Sequence, residues 1–244
     1  MPADLAHSLL LLATLLGAAV QTGIGIGFSI IVAPSMMILL GTATAVPVLL
    51  MLNMLVSVAA VERDLWRREA ALIGRAIVGC LVGIGLVLLV YPFLSESMVL
   101  ALTGVLLLIG LVVSCYPACL DFGHRGEKAV SVLSGLATIW AATPGPLMVL
   151  GFLAMGRSPG EVRRLVQPVA LIAYGTAFTL HLVADWHILA QASGLAVFSL
   201  AAIVGALLGR ILGPQLPIPL ISGAVRIFSA AACVALFRRA YLGV

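Results

Sequence analysis

Residues 23–47 read GIGIGFSIIVAPSMMILLGTATAVP, an apolar stretch interrupted by Gly23, Gly25 and Gly27 and then by Pro34. Glycine and proline weaken or break a helix, so the surrounding apolar block, 5–40, predicts two helical segments joined by a break. A second interrupted block runs from 129 to 155, with Thr143, Pro144, Gly145 and Pro146 at its centre. Between and after them lie six uninterrupted apolar blocks, at 43–61, 70–91, 97–119, 165–183, 189–212 and 218–237. Each is close to the roughly 20 helical residues that cross a bilayer.

Composition agrees with lipid as the solvent. Of 244 residues, 63% are apolar and 9% charged, and the mean hydropathy is +1.24. That leaves too few charges to cover a water-soluble globule, and it excludes disorder, a coiled coil, a nucleic-acid reader and a disulfide scaffold. Cys80, Cys115, Cys119 and Cys233 sit in apolar stretches and read as small hydrophobes. Cys115 and Cys119 are one turn apart, but no His or carboxylate joins them to complete a metal shell. The N-terminus has no Lys or Arg before its apolar run, so it is expected to stay as a membrane segment and not to be cleaved.

The order of blocks repeats: one interrupted and three regular, twice, with a join near Asp121 to Lys128. The chain is thus expected to hold two transmembrane repeats, 1–120 and 121–244. Weak echoes support this: Gly41-Thr-Ala-Thr and Gly156-Arg-Ser-Pro end the interrupted blocks, and Gly83-Ile-Gly85 and Gly205-Ala-Leu-Leu-Gly209 occupy the third block of each half.

The net charge of +4 is informative by position. If each interrupted block dips into the membrane and returns, Arg63, Arg67, Arg68, Arg75, Arg125, Lys128, Arg157, Arg163, Arg164 and Arg210 share one side, leaving Arg238 and Arg239 opposite. This satisfies the positive-inside rule. It also leaves three full spans per half, an odd number, so the second half is inserted upside down. The fold expected is an all-α integral membrane protein of two inverted repeats, each a broken or re-entrant helical hairpin plus three transmembrane helices. Eight full spans, which divide the basic residues less cleanly, is the alternative.

Irregular backbone at membrane depth must be buried in protein or line a cavity, so the two breaks are expected to meet. Half-helix N-termini there favour an anion without a fixed cation. The candidate binding residues are Gln21, Thr22, Gly23, Gly25, Gly27 and Ser29 in the first half, with Asn53 on the next span. In the second half they are Thr143 and Gly145, with Gln167 and Tyr174 on the span that follows. Ser57 and Thr176 are deeper partners. For every Ser and Thr the competing reading is a bond back to its own helix, and for the amides, helix-to-helix glue. Arg75 reads as snorkelling to the headgroups; Arg226 either snorkels or reaches a buried anion. His181 and His187, near Trp186, read as an interfacial belt. All nine carboxylates lie at block ends or in connections, and no catalytic set appears, so enzyme activity and cofactors are not expected. Gly23-Ile-Gly25-Ile-Gly27 lacks the βαβ setting of a dinucleotide loop.

The pattern resembles the TauE/SafE family of sulfite-exporter-like membrane proteins. The resemblance rests on residues 23–47, on SGLATIWAATPGPLMVLGFLAMGRSPGEV (134–162) and on GALLGRILGPQLP (205–217). This chain departs from the unbroken glycine runs common at both breaks of that family, with alternating Gly and Ile in the first and Ala-Ala-Thr-Pro-Gly-Pro in the second. The resemblance implies a bacterial inner-membrane exporter of sulfite, a sulfonate or another small organic anion, driven by a proton or ion gradient. The expected partners are the anion, the bilayer, a coupling proton or ion and a second copy in a homodimer, with no nucleic acid. The competing class is a non-transporting membrane subunit or anchor.

Overall fold

The computed structural model describes residues 3–25, 27–115, 123–143, 145–187, 194–212 and 218–242. Cys119, Asp121, Pro144 and the 213–217 part of the third motif lie outside the described residues.

The described chain is helical, without strands. Its elements are α1 (Ala3–Ile24), α2 (Phe28–Leu40), α3 (Thr42–Ala60), α4 (Arg63–Arg68), α5 (Ala70–Leu88), a 3-10 turn (Tyr91–Phe93) and α6 (Glu96–Cys115). There follow α7 (Gly123–Ala141), α8 (Gly145–Ala154), α9 (Pro159–Ala184), α10 (Leu195–Leu212) and α11 (Ile218–Leu242). Among the described residues five helices, α1, α3, α5, α9 and α10, are long and apolar enough to cross a membrane. This is the architecture of a multi-pass membrane protein.

The outward faces agree. On α10, Phe198, Ala202, Gly205, Ala206 and Gly209 form a buried stripe, while Leu200, Leu207 and Ile211 stand exposed on the other side. Small residues on the inner stripe let backbones approach, which drives association where the surroundings are as apolar as the side chains.

The breaks fall where the sequence places them, between α1 and α2 and between α7 and α8. Each makes a hairpin. Gly17 of α1 lies against Val32 and Phe28 of α2, and Gly151 of α8 lies against Val130 of α7. Helix ends depart from the hydropathy blocks in a consistent way. The α9 helix begins at Pro159 and not at 165, because Ser158 and Glu161 form a capping box that fixes the start through hydrogen bonds, not apolarity. Likewise α7 begins at Gly123, six residues ahead of its apolar block, α11 runs on to Leu242, and α5 stops at Leu88 before the 3-10 turn.

The helices pair reciprocally across the molecule. The closest partner of α1 is α10, and that of α7 is α5; α3 packs on α9 and α6 on α11. Gly205 and Gly209 meet Leu15 and Ala19 in turn, so α1 and α10 run parallel. Gly79 and Gly83 meet Ser131 and Val132 to Leu136, so α5 and α7 run parallel too. The α3 and α9 helices are antiparallel, since Met54 touches Gly175 while Glu62 pairs with Arg164 at 3.5 Å.

Gly79 and Gly83 take the close approach of α5 to α7, as Gly205 and Gly209 take that of α10 to α1; nothing lies within 4 Å of a Cβ placed on Gly85. Gly83→Ala should destabilise by about 1–3 kcal/mol, the usual range for overpacking, because its Cβ would overlap the Val132 carbonyl and lie 2.9 Å from Leu136 N. Gly85→Ala should melt at or above the wild-type temperature. Thermal unfolding in detergent checks the pair.

One end of the bundle collects the basic residues. The α3–α5 connection meets the start of α9 through Arg157, which pairs with Glu69 at 3.2 Å and with Glu161 at 3.7 Å. Arg210 lies in the last turn of α10. At the other end His7 packs on Phe198 and Tyr91 on His181, and Arg239 ends α11.

Candidate functional site

The first tip is built on glycine. Gly25 and Gly27 have φ of 95° and 137°, values L side chains rarely adopt. The Gly25 N–H donates to the Gln21 carbonyl at 2.7 Å, closing the last turn of α1. Gln21 also turns its Oε1 to the Phe28 N–H, at 3.2 Å, serving the start of α2, where Gly27 has no side chain to do so. The carbonyls that α1 leaves unpaired at its end are taken by α9: Gln167 Nε2 donates to the Gly25 carbonyl at 2.5 Å, and Arg163 Nη2 to the Thr22 carbonyl at 3.4 Å.

The second tip follows the same logic. Ala142 has φ of 49°, a left-handed conformation that costs an L residue about 1–2 kcal/mol. The carbonyls at the end of α7 again find partners elsewhere. The Ile139 carbonyl meets His181 Nε2 at 3.2 Å, and the Ala142 carbonyl accepts from the Ser29 hydroxyl at 2.6 Å. This last bond joins the two tips directly. Ser29 Oγ is also 3.1 Å from Asn53 Oδ1, so its single proton has two acceptors. The Asn53 amide is anchored through Nδ2 to the Leu49 carbonyl at 2.8 Å.

Between the tips lies a small cavity of about 20 Å³, lined by Gln21, Gly25, Gly27, Ser29, Thr143, Gly145, Gln167 and Tyr174, with Ile30, Val166 and Ala170. Its volume suits a single water. Among the described residues no lining side chain is ionic. Among them, too, Thr143 Oγ1 and Gln167 Oε1 are buried without a hydrogen-bond partner; the hydroxyl can donate to a guest, whereas the amide oxygen can only accept. The α2 and α8 helices begin at this cavity, and their dipoles direct positive ends to it. The opposing carbonyl ends of α1 and α7 are meanwhile occupied by Gln167, Arg163, His181 and Ser29. The two helix N-termini favour negative charge there, and the free Gln167 oxygen accepts from a guest that carries a proton.

Three of the sequence-predicted site residues do not line the cavity. Thr22 turns away, its hydroxyl donating to the Ala18 carbonyl at 3.0 Å and the Ala206 carbonyl of α10 at 2.9 Å; it serves as helix glue. Gly23 is buried beside it. Asn53 stands one layer behind Ser29. Ser57 is buried with no partner for its hydroxyl among the described residues, and Thr176 is half-buried; neither lines the cavity. Arg75 and Arg226 are exposed, so Arg226 does not reach the site. His187 and Trp186 stack on the surface with centroids 4.0 Å apart.

His181 departs from the interfacial reading, being only 9% exposed, because the break leaves the Ile139 carbonyl in need of a donor. Arg163 is the residue the sequence reading missed. Its signal is the four-residue spacing to Gln167, which sets both on one face of α9.

Among the described residues no group of three or more His, Cys, Asp and Glu side chains could hold a metal ion. No family model matches the chain, and neither curated proteins nor solved structures give a match.

Proposed function

We propose that the chain is a secondary transporter of a small anion, working by alternating access around the cavity between the two tips. The observation that carries this reading is the meeting of two broken helical hairpins, through Ser29 and the Ala142 carbonyl, at a buried, uncharged cavity with spare hydrogen-bonding capacity. Irregular backbone in a membrane protein is sustained where it is buried in protein or lines a cavity, and transporters build substrate sites from broken helices that meet in this way. A sulfite-like or sulfonate anion, exported across a bacterial inner membrane, is the substrate suggested by the resemblance to the TauE/SafE family.

On this reading the chain is two inverted repeats, divided near residue 120. What supports it is the reciprocity of the packing: α1 with α10 and α7 with α5 run parallel, whereas α3 and α9 run antiparallel. Gly41 and Gly156, with φ of 73° and 76°, occupy matching positions before α3 and α9. The Arg-rich end is cytoplasmic. Each hairpin then enters from one side and returns to it, the first from outside and the second from inside.

The cavity holds about one water, so an oxyanion enters only as the tips separate. Ser29 makes that separation inexpensive. When the Ala142 carbonyl withdraws, the hydroxyl retains an acceptor in Asn53 Oδ1, at 3.1 Å, and the penalty for a buried unpaired donor is avoided. With no carboxylate, histidine, lysine or arginine among the described lining residues, coupling resides in the substrate's own charge or its protonation state.

The test is uptake of radiolabelled sulfite, sulfate, short sulfonates and carboxylates into proteoliposomes, with and without imposed pH and voltage gradients. Saturable, gradient-driven flux of one anion supports the reading. Absence of flux for all, together with a stoichiometric co-purifying protein, supports a non-transporting subunit instead. Thr143→Ala should raise KM about tenfold or more with little change in kcat, since one hydrogen bond to a charged group is worth about 1.5–3 kcal/mol.

A further inference from the structure

Three arginines open α9 and its approach, and they are not equivalent. Arg157 pairs with Glu69 through both guanidinium nitrogens, each at 3.2 Å. Arg164 pairs with Glu62 at 3.5 Å and is exposed. Arg163, half-buried between them, has no carboxylate partner among the described residues; its polar contact is the Thr22 carbonyl at 3.4 Å. That is a long bond to a neutral acceptor, weak by comparison with a charge-assisted one. The stem of Arg163 lies across Gly25, where an added Cβ would meet Arg163 Cβ at 2.6 Å. One turn further along the same face, about 6 Å of helix, Gln167 lines the cavity and bonds the same tip.

Resting on the transporter reading above, we propose that Arg163 is the cation that receives the anion at the Arg-rich mouth of the cavity, and that its transfer from the Thr22 carbonyl to the anion unlatches the first tip. A planar guanidinium offers an oxyanion two parallel N–H donors, of which the Thr22 carbonyl takes one. The incoming charge thus competes directly with one of the two bonds that hold the first tip against α9, the other being that of Gln167 to the Gly25 carbonyl. Arrival of substrate and release of the tip become one event, and a neutral solute of the same size does not trigger it. Arg157 and Arg164, already neutralised by glutamates, do not compete for the anion.

Initial rates of radiolabelled sulfite transport, measured from the Arg-rich face in orientation-sorted proteoliposomes, test this with Arg163→Gln, Arg163→Lys and Arg164→Gln. The expected result is a KM raised about tenfold in Arg163→Gln with kcat within threefold, a smaller rise in Arg163→Lys, and wild-type constants in Arg164→Gln. A purely structural pin predicts the reverse, a fall in kcat at unchanged KM, and that outcome overturns the proposal. Should Arg163→Gln fail to give monodisperse protein, Arg163→Lys decides: a KM equal to wild type overturns the proposal, and a several-fold rise supports it. Saturable wild-type flux with unaffected Arg163 variants removes this inference alone, whereas wild-type protein without flux of sulfite, sulfate, sulfonates or carboxylates removes the transporter reading and this inference with it.

Discussion

Replacing Gly25 by alanine is expected to reduce anion flux at least 100-fold while leaving the protein helical. Two independent costs act at this position. Its φ of 95° lies in a region that costs an L residue about 1–2 kcal/mol. The new methyl would also overlap Arg163 Cγ and stand 2.6 Å from its Cβ and 3.0 Å from its Cα. The Cα belongs to the α9 backbone, so rotating the arginine side chain gives no full relief, and overpacking of this kind adds about 1–3 kcal/mol. The tip must retreat, and the Gln167 bond to the Gly25 carbonyl is lost with it. At 1.4 kcal/mol per tenfold, these costs displace the tip population by about two orders of magnitude. Gly160→Ala is the matched control, because it lies in the first turn of the same helix with nothing within 4 Å of its Cβ. It should transport within twofold of wild type. Sulfite uptake at equal reconstituted density, alongside thermal melts, separates the two variants; wild-type flux in Gly25→Ala would show that the tip geometry is not required.

The hairpins were legible because glycine and proline within an apolar run leave few alternatives: the backbone must bend, and in lipid it must bend where something satisfies it. Helix ends were less legible. Hydropathy places the start of α9 after Arg163 and Arg164, yet Ser158 and Glu161 begin the helix earlier, and this brings Arg163 and Gln167 onto one continuous face. The site was legible in kind but not in rotation. Gln21 and Thr22 are adjacent polar residues before the same break, and a helix sets neighbours about 100° apart, so only one can face the cavity. Which one is decided by Gly209, whose contact with Ala19 and Thr22 turns Thr22 toward α10. That contact is tertiary, and no local pattern announces it. His181 shows the same limit: its proximity to Trp186 suggests an interface, but its partner is the carbonyl of Ile139, forty-two residues earlier, which the break leaves unpaired.

The second large effect is expected at Asn53, where aspartate should also lower flux at least 100-fold. Asn53 is fully buried, and its two amide ends have different tasks: Nδ2 donates to the Leu49 carbonyl and Oδ1 faces Ser29. An aspartate retains the second and forfeits the first, turning a carboxylate oxygen toward a carbonyl. A buried ion without its partner costs several kcal/mol, and the charge would stand one side chain away from a cavity proposed to receive an anion. Asn53→Leu removes polarity without adding charge and isolates the other role. With the tips together, Ser29 still bonds the Ala142 carbonyl at 2.6 Å, so substrate affinity should be preserved. With the tips apart, the hydroxyl has lost its alternative acceptor, and a buried unpaired donor costs about 1–3 kcal/mol. The penalty falls on the opened state, so kcat should drop about tenfold at nearly constant KM. A leucine variant that loses affinity instead, or an aspartate variant that transports like wild type, would place Asn53 outside the cycle and leave the exchange of Ser29 between its two acceptors without a role.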